Sequence, residues 1–504
     1  MPCIPPISRL PNEILILILE FAKQAMETRI SKLHFNSTPA GITSHPWLAL
    51  TLVCQRWRTL ILNTQSFWRT IEFCSFRATQ VLLERSGGAS IEVGYSDNFL
   101  EPQSPEREQI LCLLFDNVER ARSLWFFGPC ARRFLQTVAP VHDAPALEVL
   151  RLQLNDTSET LCDNFISDTS KLRRVELGGI NVLPSSRVFA SNVTSLSLNS
   201  LSTLNFERFS FATMFSILQK MPQLEELALD DMLHDSDGGT CEPLCLPRLK
   251  TFRFNTHSLA QNGRFMQYLE LPSSTCIFCR VRCLRREDAV SSLSALVHPR
   301  PFSRFHVSYT GAEIGLYGHS ETPQHPDDTT GSFSLHVQVQ FMRPFHIPVI
   351  LSNLLSLLSP SLARVRRLTV GACDSRTGFD WAPLLTRFAA VTELSVRGAC
   401  AKWSLFVPAL TYPVPVPVPV SVREGPQFLC PRLRVLGFVQ CTCSWHTCAR
   451  SRLDPEFPQR IAAALEMRRA QSGAQSRIVV RLTVGGETVR VGKVKRGDWG
   501  LIEV

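Results

Sequence analysis

The apolar positions divide the chain into two unlike parts. Near the start, the stretch LPNEILILILEF, Leu10 to Phe21, sets six aliphatic residues in a row between two glutamates. Ile14 and Ile18 are four apart, as are Leu15 and Leu19, so Leu10, Ile14, Ile18 and Phe21 share one face at helical spacing. A period of two fits the same run, because both of its faces are aliphatic. Pro11 suits the first turn of a helix, where its missing N–H costs nothing, and Glu13 complements the helix dipole. A helix starting near Pro11 is the favoured reading.

A second segment runs from His45 to Trp68, HPWLALTLVCQRWRTLILNTQSFW. Leu50, Val53, Trp57, Leu60 and Ile61 recur at three- and four-residue spacing, with Gln55, Arg56 and Arg58 between them. This predicts an amphipathic helix. Asn63-Thr64-Gln65-Ser66 marks a break before Phe67 and Trp68. Between the two segments, the string NSTPAGITSHP reads as loop.

Together the segments resemble the F-box family. The resemblance is carried by Leu10-Pro11, Glu13-Ile14-Leu15, Ile18-Leu19, then Leu52-Val53-Cys54, Trp57-Arg58 and Trp68. The stretch from Ala22 to Pro46 is longer than the family's usual link. The resemblance implies a helical module over residues 1–72, with an insertion near 22–46, that binds a Skp-type adaptor. Through that adaptor the protein joins the core of a cullin-based ubiquitin ligase. Apolar anchors on a compact helical surface suit docking into a groove. The candidate adaptor-binding residues are Leu10, Pro11, Ile14, Leu15, Val53, Cys54 and Trp57. In so small a module about half of them are expected to fill its own core.

The remainder, residues 73–504, repeats a different pattern. Four segments have the form Pro-x-apolar-x-x-apolar-x-apolar: PALEVLRL from Pro145, PQLEELAL from Pro222, PRLKTFRF from Pro247 and PRLRVLGF from Pro431. LRRVEL from Leu172, VTSLSL from Val193, VRRLTV from Val365 and VTELSV from Val391 share it without the proline, and ARSLWF from Ala121 is weaker. Starts at 121, 147, 172, 193, 224 and 249 lie roughly one leucine-rich-repeat length apart, ~20–29 residues. Each apolar-x-apolar pair is expected on a short strand pointing into a stack that a single unit cannot bury. Helical pieces such as Phe215 to Met221 would cover the other side. The asparagine that closes such a strand occurs once, at Asn155, so the repeats are degenerate. The region resembles the irregular repeat halves that follow F-boxes in many fungal proteins, especially those of basidiomycetes. The fold class expected is α/β: a small helical F-box-like module, then an irregular leucine-rich-repeat solenoid.

Regularity fails after Phe254. Tyr268 to Cys283, Phe302 to Tyr309 and Gly331 to Phe341 read as strands. The Pro-Val alternation near 412–420 is an extended spacer, since proline cannot sit in a central strand. Near 477–496 a hairpin turns at Gly485-Gly486 and caps the last repeat.

Composition narrows the function. At 504 residues, 44% hydrophobic and 19% charged, the chain is foldable and long. The net charge of +9 is mild. The clusters Arg364, Arg366, Arg367 and Lys493, Lys495, Arg496 are read as solvated faces, and no nucleic-acid partner is expected. The aliphatic run Ile14–Leu19 is too short for an export signal and nothing approaches a membrane span, so the cytoplasm or nucleus is expected, with the 17 cysteines reduced. Cys441, Cys443, His446 and Cys448 offer zinc-type ligands, but C-x-C-x-x-H-x-C is too tight for an ordinary tetrahedral site. Cys276, Cys279 and Cys283 read as packing. Leu229 to Gly239 is acidic but lacks calcium-loop spacing. With no P-loop, dinucleotide fingerprint, nucleophile elbow or HExxH, neither enzyme activity nor cofactor nor metal is expected. The reading is a substrate-recognition subunit of an SCF-type ubiquitin ligase, its repeats holding an unidentified target. A repeat scaffold without ligase function is the alternative.

Overall fold

The computed structural model describes residues 6–34, 45–71, 75–96, 104–138, 143–154, 159–162, 167–200, 208–233, 242–256, 265–266, 268–272, 274–283, 302–310, 313–320, 334–341, 351, 355–356, 358–372, 382–398, 403, 406–411, 430–440, 456–472, 478–484, 487–493 and 499–503. The chain forms two compact units. One comprises Met1–Phe209 with Thr213–Leu224, the other Ser210–Ala212 with Glu225–Val504.

The first unit opens with helix α1, Asn12–His34. The carbonyl of Pro11 accepts the bond from the Leu15 N–H that begins it. The helix runs past Ala22, so the first part of the stretch read as an insertion continues α1. The amphipathic helix expected ahead of the Asn63–Ser66 break is itself divided, so His45–Trp68 holds three pieces. A 3-10 turn spans Pro46–Leu52, α2 spans Gln55–Asn63, and a second 3-10 turn spans Gln65–Trp68. Cys54 is fully extended (φ −159°, ψ 166°) and starts α2 as a new helix. That extended residue throws Leu52 and Val53 out to solvent. The break expected after Asn63 is present at Thr64.

Strand β1, Thr70–Ile71, pairs in parallel with β2, Ile91–Ser96, so the sheet begins inside the segment assigned to the helical module. Helices α3 (Phe76–Ser86) and α4 (Pro105–Phe115) follow. Their N-cap serines, Ser75 and Ser104, each accept a bond from a first-turn N–H, which satisfies otherwise orphaned donors. Neither helix was singled out in the sequence. Next come β3 (Ala121–Phe127), α5 (Pro129–Arg133), β4 (Val149–Gln153), β5 (Glu159–Thr160), β6 (Arg174–Gly178), β7 (Ile180–Asn181) and β8 (Ser195–Asn199). β1, β2, β3, β4, β6 and β8 form one parallel sheet in that order. β5 and β7 form a second small parallel pair. Partners Ser123–Val149, Val149–Arg174 and Arg174–Ser195 lie 26, 25 and 21 residues apart in sequence. Helix α6, Phe211–Gln219, takes in most of the helical stretch expected at Phe215 to Met221.

The second unit holds β9 (Glu226–Asp230), β10 (Leu244–Cys245), β11 (Thr251–Thr256), β12 (Leu269–Glu270), β13 (Cys276–Cys283), β14 (Arg304–Thr310), β15 (Glu313–His319), β16 (Ser334–Phe341), β17 (Arg367–Ala372), β18 (Glu393–Gly398), β19 (Val435–Gln440), β20 (Val479–Val484), β21 (Glu487–Lys493) and β22 (Trp499–Glu503). β9, β11, β13, β16, β15, β14, β17, β18, β19, β20, β21 and β22 are neighbours in that order. Pairing is parallel except around β15 and β21, each antiparallel to both neighbours. The expected terminal hairpin is β20–β21, with Gly485-Gly486 themselves outside the described residues.

All nine pattern segments contain a strand. One local device recurs in all nine of them. The leading apolar residue closes a four-residue turn through its N–H, as Leu147 does to Ala144, Leu172 to Thr169, Leu249 to Leu246 and Leu433 to Cys430. Two residues later the chain joins the preceding strand, for example through the Arg174 and Ser195 N–H groups to Glu148 and Arg173 carbonyls. The leading residue and both members of the apolar-x-apolar pair are buried throughout: Leu147, Leu150 and Leu152 in one segment, Leu249, Phe252 and Phe254 in another. Burying such a side chain stabilises by about 1.5–3 kcal/mol. The residues between them face outward. Cys279 is buried as packing, as the sequence suggested. Asn155, the Pro-Val run and Cys441, Cys443, His446 and Cys448 lie outside the described residues. No described helix is long and apolar enough to cross a membrane.

Candidate functional site

The helical module buries one set of apolar residues and presents another. Leu15 and Leu19 on α1 are 1% and 0% exposed, packed with Trp47, Leu50, Ile61, Phe67 and Trp68 as the module's core. Trp47 lies 5.2 Å from Trp68, edge to face, and 5.9 Å from Phe67. The indole N–H of Trp68 donates to the Ile61 carbonyl at 2.9 Å. Arg85 of α3 lies 4.5 Å over the Trp68 ring, a cation–π contact that fastens the module to the sheet's first helix.

A charged group sits inside this core. Lys23 is 8% exposed; its ammonium donates to the Phe67 carbonyl at 3.0 Å and lies 5.2 Å over the Trp47 ring. His45 packs against Trp47 at 5.8 Å. Burial, and then the nearby Lys23 charge, push the His45 imidazole down to about 4. It is therefore neutral at pH 7. The Ser66 hydroxyl donates to the Glu20 carboxylate, tying the second 3-10 turn to α1.

The other faces are exposed. Among the described residues ten large hydrophobic side chains stand open to solvent, and eight of them lie between Ile7 and Val53. They are Ile7, Ile14, Leu17, Ile18, Phe21, Leu48, Leu52 and Val53, with Phe21 at 71% and Leu52 at 79%. Exposed apolar surface concentrated in one small module marks an interaction face. Arg56 of α2 braces it, donating to the Leu10 carbonyl at 2.6 Å and to the Asn12 side-chain oxygen at 2.7 and 3.2 Å.

The seven sequence candidates divide accordingly. Pro11, Ile14, Val53 and Cys54 are exposed, and Leu10 and Trp57 are half-buried. Leu15 belongs to the core: it lies about 100° around the helix from Ile14, on the Leu19 side that packs inward. Leu17, Ile18, Phe21, Leu48 and Leu52 were missing from the candidate list. Phe21 and Ile18 carried a signal, since they share the Ile14 face at helical spacing. Leu52 stood in the motif that carries the family resemblance, while Leu48 carried no signal, since both lie on a 3-10 turn that helical spacing does not describe.

Among the described residues no group of histidine, cysteine or acidic side chains is placed to hold a metal. No curated protein matches the chain. Residues 7–74, the span of the exposed aliphatic face and its core, match the family model described as F-box-like. The N-terminal module, residues 7–74, is an F-box-like domain.

Proposed function

We propose that the chain is a substrate-recognition subunit of an SCF-type ubiquitin ligase. In this reading the F-box-like domain docks a Skp-type adaptor and the strand-rich remainder, a degenerate leucine-rich-repeat solenoid, holds a target protein. The observation that carries the reading is the clustering of eight of ten exposed large hydrophobics in the F-box-like domain. Leaving that much apolar surface open costs solubility unless a partner covers it. Ile14, Leu17, Ile18 and Phe21 from α1, with Leu48, Leu52 and Val53, supply the anchors; Leu10, Pro11, Cys54 and Trp57 border them. Leu15 acts only through the core.

The protein's part in ubiquitin transfer is proximity. The adaptor side fixes the chain to the ligase and the strand face fixes the target, while the transfer chemistry belongs to the ligase core. Co-expression of the full chain with a Skp-type adaptor tests the first half. A stable complex that the Ile14→Asp, Phe21→Asp double variant fails to form supports the reading. A well-folded parent that never retains adaptor points instead to a repeat scaffold outside the ligase.

A further inference from the structure

The outward strand face of the second unit is rich in arginine from β11 to β20, while β9 at its start carries the carboxylates Glu226 and Asp230. In the first unit arginines on the outward strand face meet glutamates. Arg122 pairs with Glu148 at 2.8 Å, and Arg151 and Arg174 reach Glu176 at 3.2 and 3.6 Å. In the second unit, from β11 to β20, the outward positions with described side chains carry six arginines: Arg253, Arg280, Arg304, Arg367, Arg397 and Arg481. They carry one carboxylate, Glu393, which Arg367 holds at 3.2 Å.

A row of rings crosses the same face. Register sets Phe278, His336, Tyr317 and His306 side by side on β13, β16, β15 and β14. Successive rings lie 4.5, 5.1 and 5.3 Å apart. Arg253 extends the row, its guanidinium 5.5 Å over Phe278. Beyond His306 the row falls away to small residues, Thr369, Ser395 and Gly437. Beside it runs a second row, His319, Arg304, Arg367 and Glu393, also in register. An open cavity of about 440 Å³ lies between the rows, its charged and ring-bearing lining including Arg304, His306, Tyr317, His336, Arg367 and the carboxylate Glu393. His306 and His336 are both held below the ordinary imidazole value, by burial first and then by Arg397 and His319 respectively. Two guanidinium groups, Arg304 and Arg367, against the single carboxylate of Glu393 leave the charged lining net positive, and the imidazoles add N–H donors beside them.

We propose that this face binds an extended acidic peptide segment. One anionic side chain sits between Arg304 and Arg367, on strands about 4.8 Å apart, and the peptide's apolar parts lie along Tyr317 and the trough at Thr369, Ser395 and Gly437. Guanidinium pairs are suited to carboxylate and phosphoryl oxygens because their N–H groups lie in a fixed plane. Six neighbouring strands give a track of about 24 Å, room for roughly seven extended residues. A nucleic acid fits less well, because the rings of the row pack on one another instead of offering open faces to bases. The inference rests on the reading that the strand face holds a target; it does not depend on adaptor binding.

The test uses the full chain and four degenerate decapeptide pools, each fixed at one central position as Glu, phosphoserine, Ser or Lys, read by fluorescence anisotropy. The Glu and phosphoserine pools bind at least tenfold more tightly than the Ser and Lys pools, and the stronger of the two identifies the anion. Arg304→Glu with Arg367→Glu abolishes the preference, and Arg304→Gln with Arg367→Gln provides the milder variant if the reversal misfolds. Equal binding of all four pools overturns the proposal, as does an acidic preference that survives either double variant. A single-stranded oligothymidine that binds more tightly than the acidic pools also overturns it, in favour of nucleic acid. Adaptor capture by the same preparations is scored separately, so loss of one activity does not masquerade as loss of the other.

Discussion

Arg56 donates to the carbonyl oxygen of Leu10 at 2.6 Å across 46 residues of sequence. The same guanidinium holds the Asn12 side chain, so the start of α1 and the second residue of α2 are locked together. This bond orients the two segments that carry the exposed aliphatic residues. Charge-assisted bonds of this kind contribute about 1.5–3 kcal/mol, less where solvent reaches them. Arg56→Met is expected to weaken adaptor binding about tenfold while lowering stability by only about 1 kcal/mol. Titration calorimetry against the adaptor, paired with denaturant unfolding, separates the two effects.

Neighbouring residues of α1 have opposite duties. Leu19→Ala removes a fully buried side chain and is expected to cost about 2–5 kcal/mol. Ile18→Ala, one position earlier on the exposed side, is expected to change stability by about 0.5 kcal/mol or less. Denaturant midpoints of the two variants provide the comparison.

His45 makes the module acid-sensitive. Its folded value of about 4 lies below the ordinary 6.5. As pH falls through 6.5 the unfolded chain takes up the proton first, so stability is full above that value and declines toward pH 4. The slope is about 1.4 kcal/mol per pH unit, or on the order of 2 kcal/mol by pH 5. Tryptophan fluorescence of denaturant unfolding at pH 7 and pH 5 measures it. In His45→Phe this component of the loss is absent.

Gly94 on β2 is required by Trp125 on the neighbouring strand. A Cβ at that position would lie 1.7 Å from the Trp125 indole, so the ring must move to admit it. Gly94→Ala is expected to destabilise by about 1–3 kcal/mol. A shifted tryptophan emission accompanies the loss.

The repeated strands were legible because a single rule governs them: a leading apolar residue, two spacers, then an apolar-x-apolar pair. Leu172, Val175 and Leu177 obey it, and so do Val391, Leu394 and Val396. β15 was not legible. Its EIGLYGH carries two glycines, and it is antiparallel to both neighbours. A Cβ at Gly318 would meet the Phe302 ring at 2.5 Å, so the tertiary packing, not strand propensity, selects glycine there. At the candidate site, the run Ile14 to Leu19 is aliphatic on every side, so sequence could place the helix but not its rotation. Leu15 was assigned to the partner for that reason, and the core claims it. The exposure of Leu52 was hidden because it lies on a 3-10 turn that helical spacing does not describe.

The account's central claim is that the exposed face of α1 is an adaptor-binding surface. Its most direct measurement is the affinity of the full chain for a Skp-type adaptor by biolayer interferometry, compared with Phe21→Asp. The account predicts a measurable parent affinity and at least a hundredfold loss in the variant, with an unchanged unfolding midpoint. Equal affinity of parent and variant, or no binding by a folded parent, contradicts it.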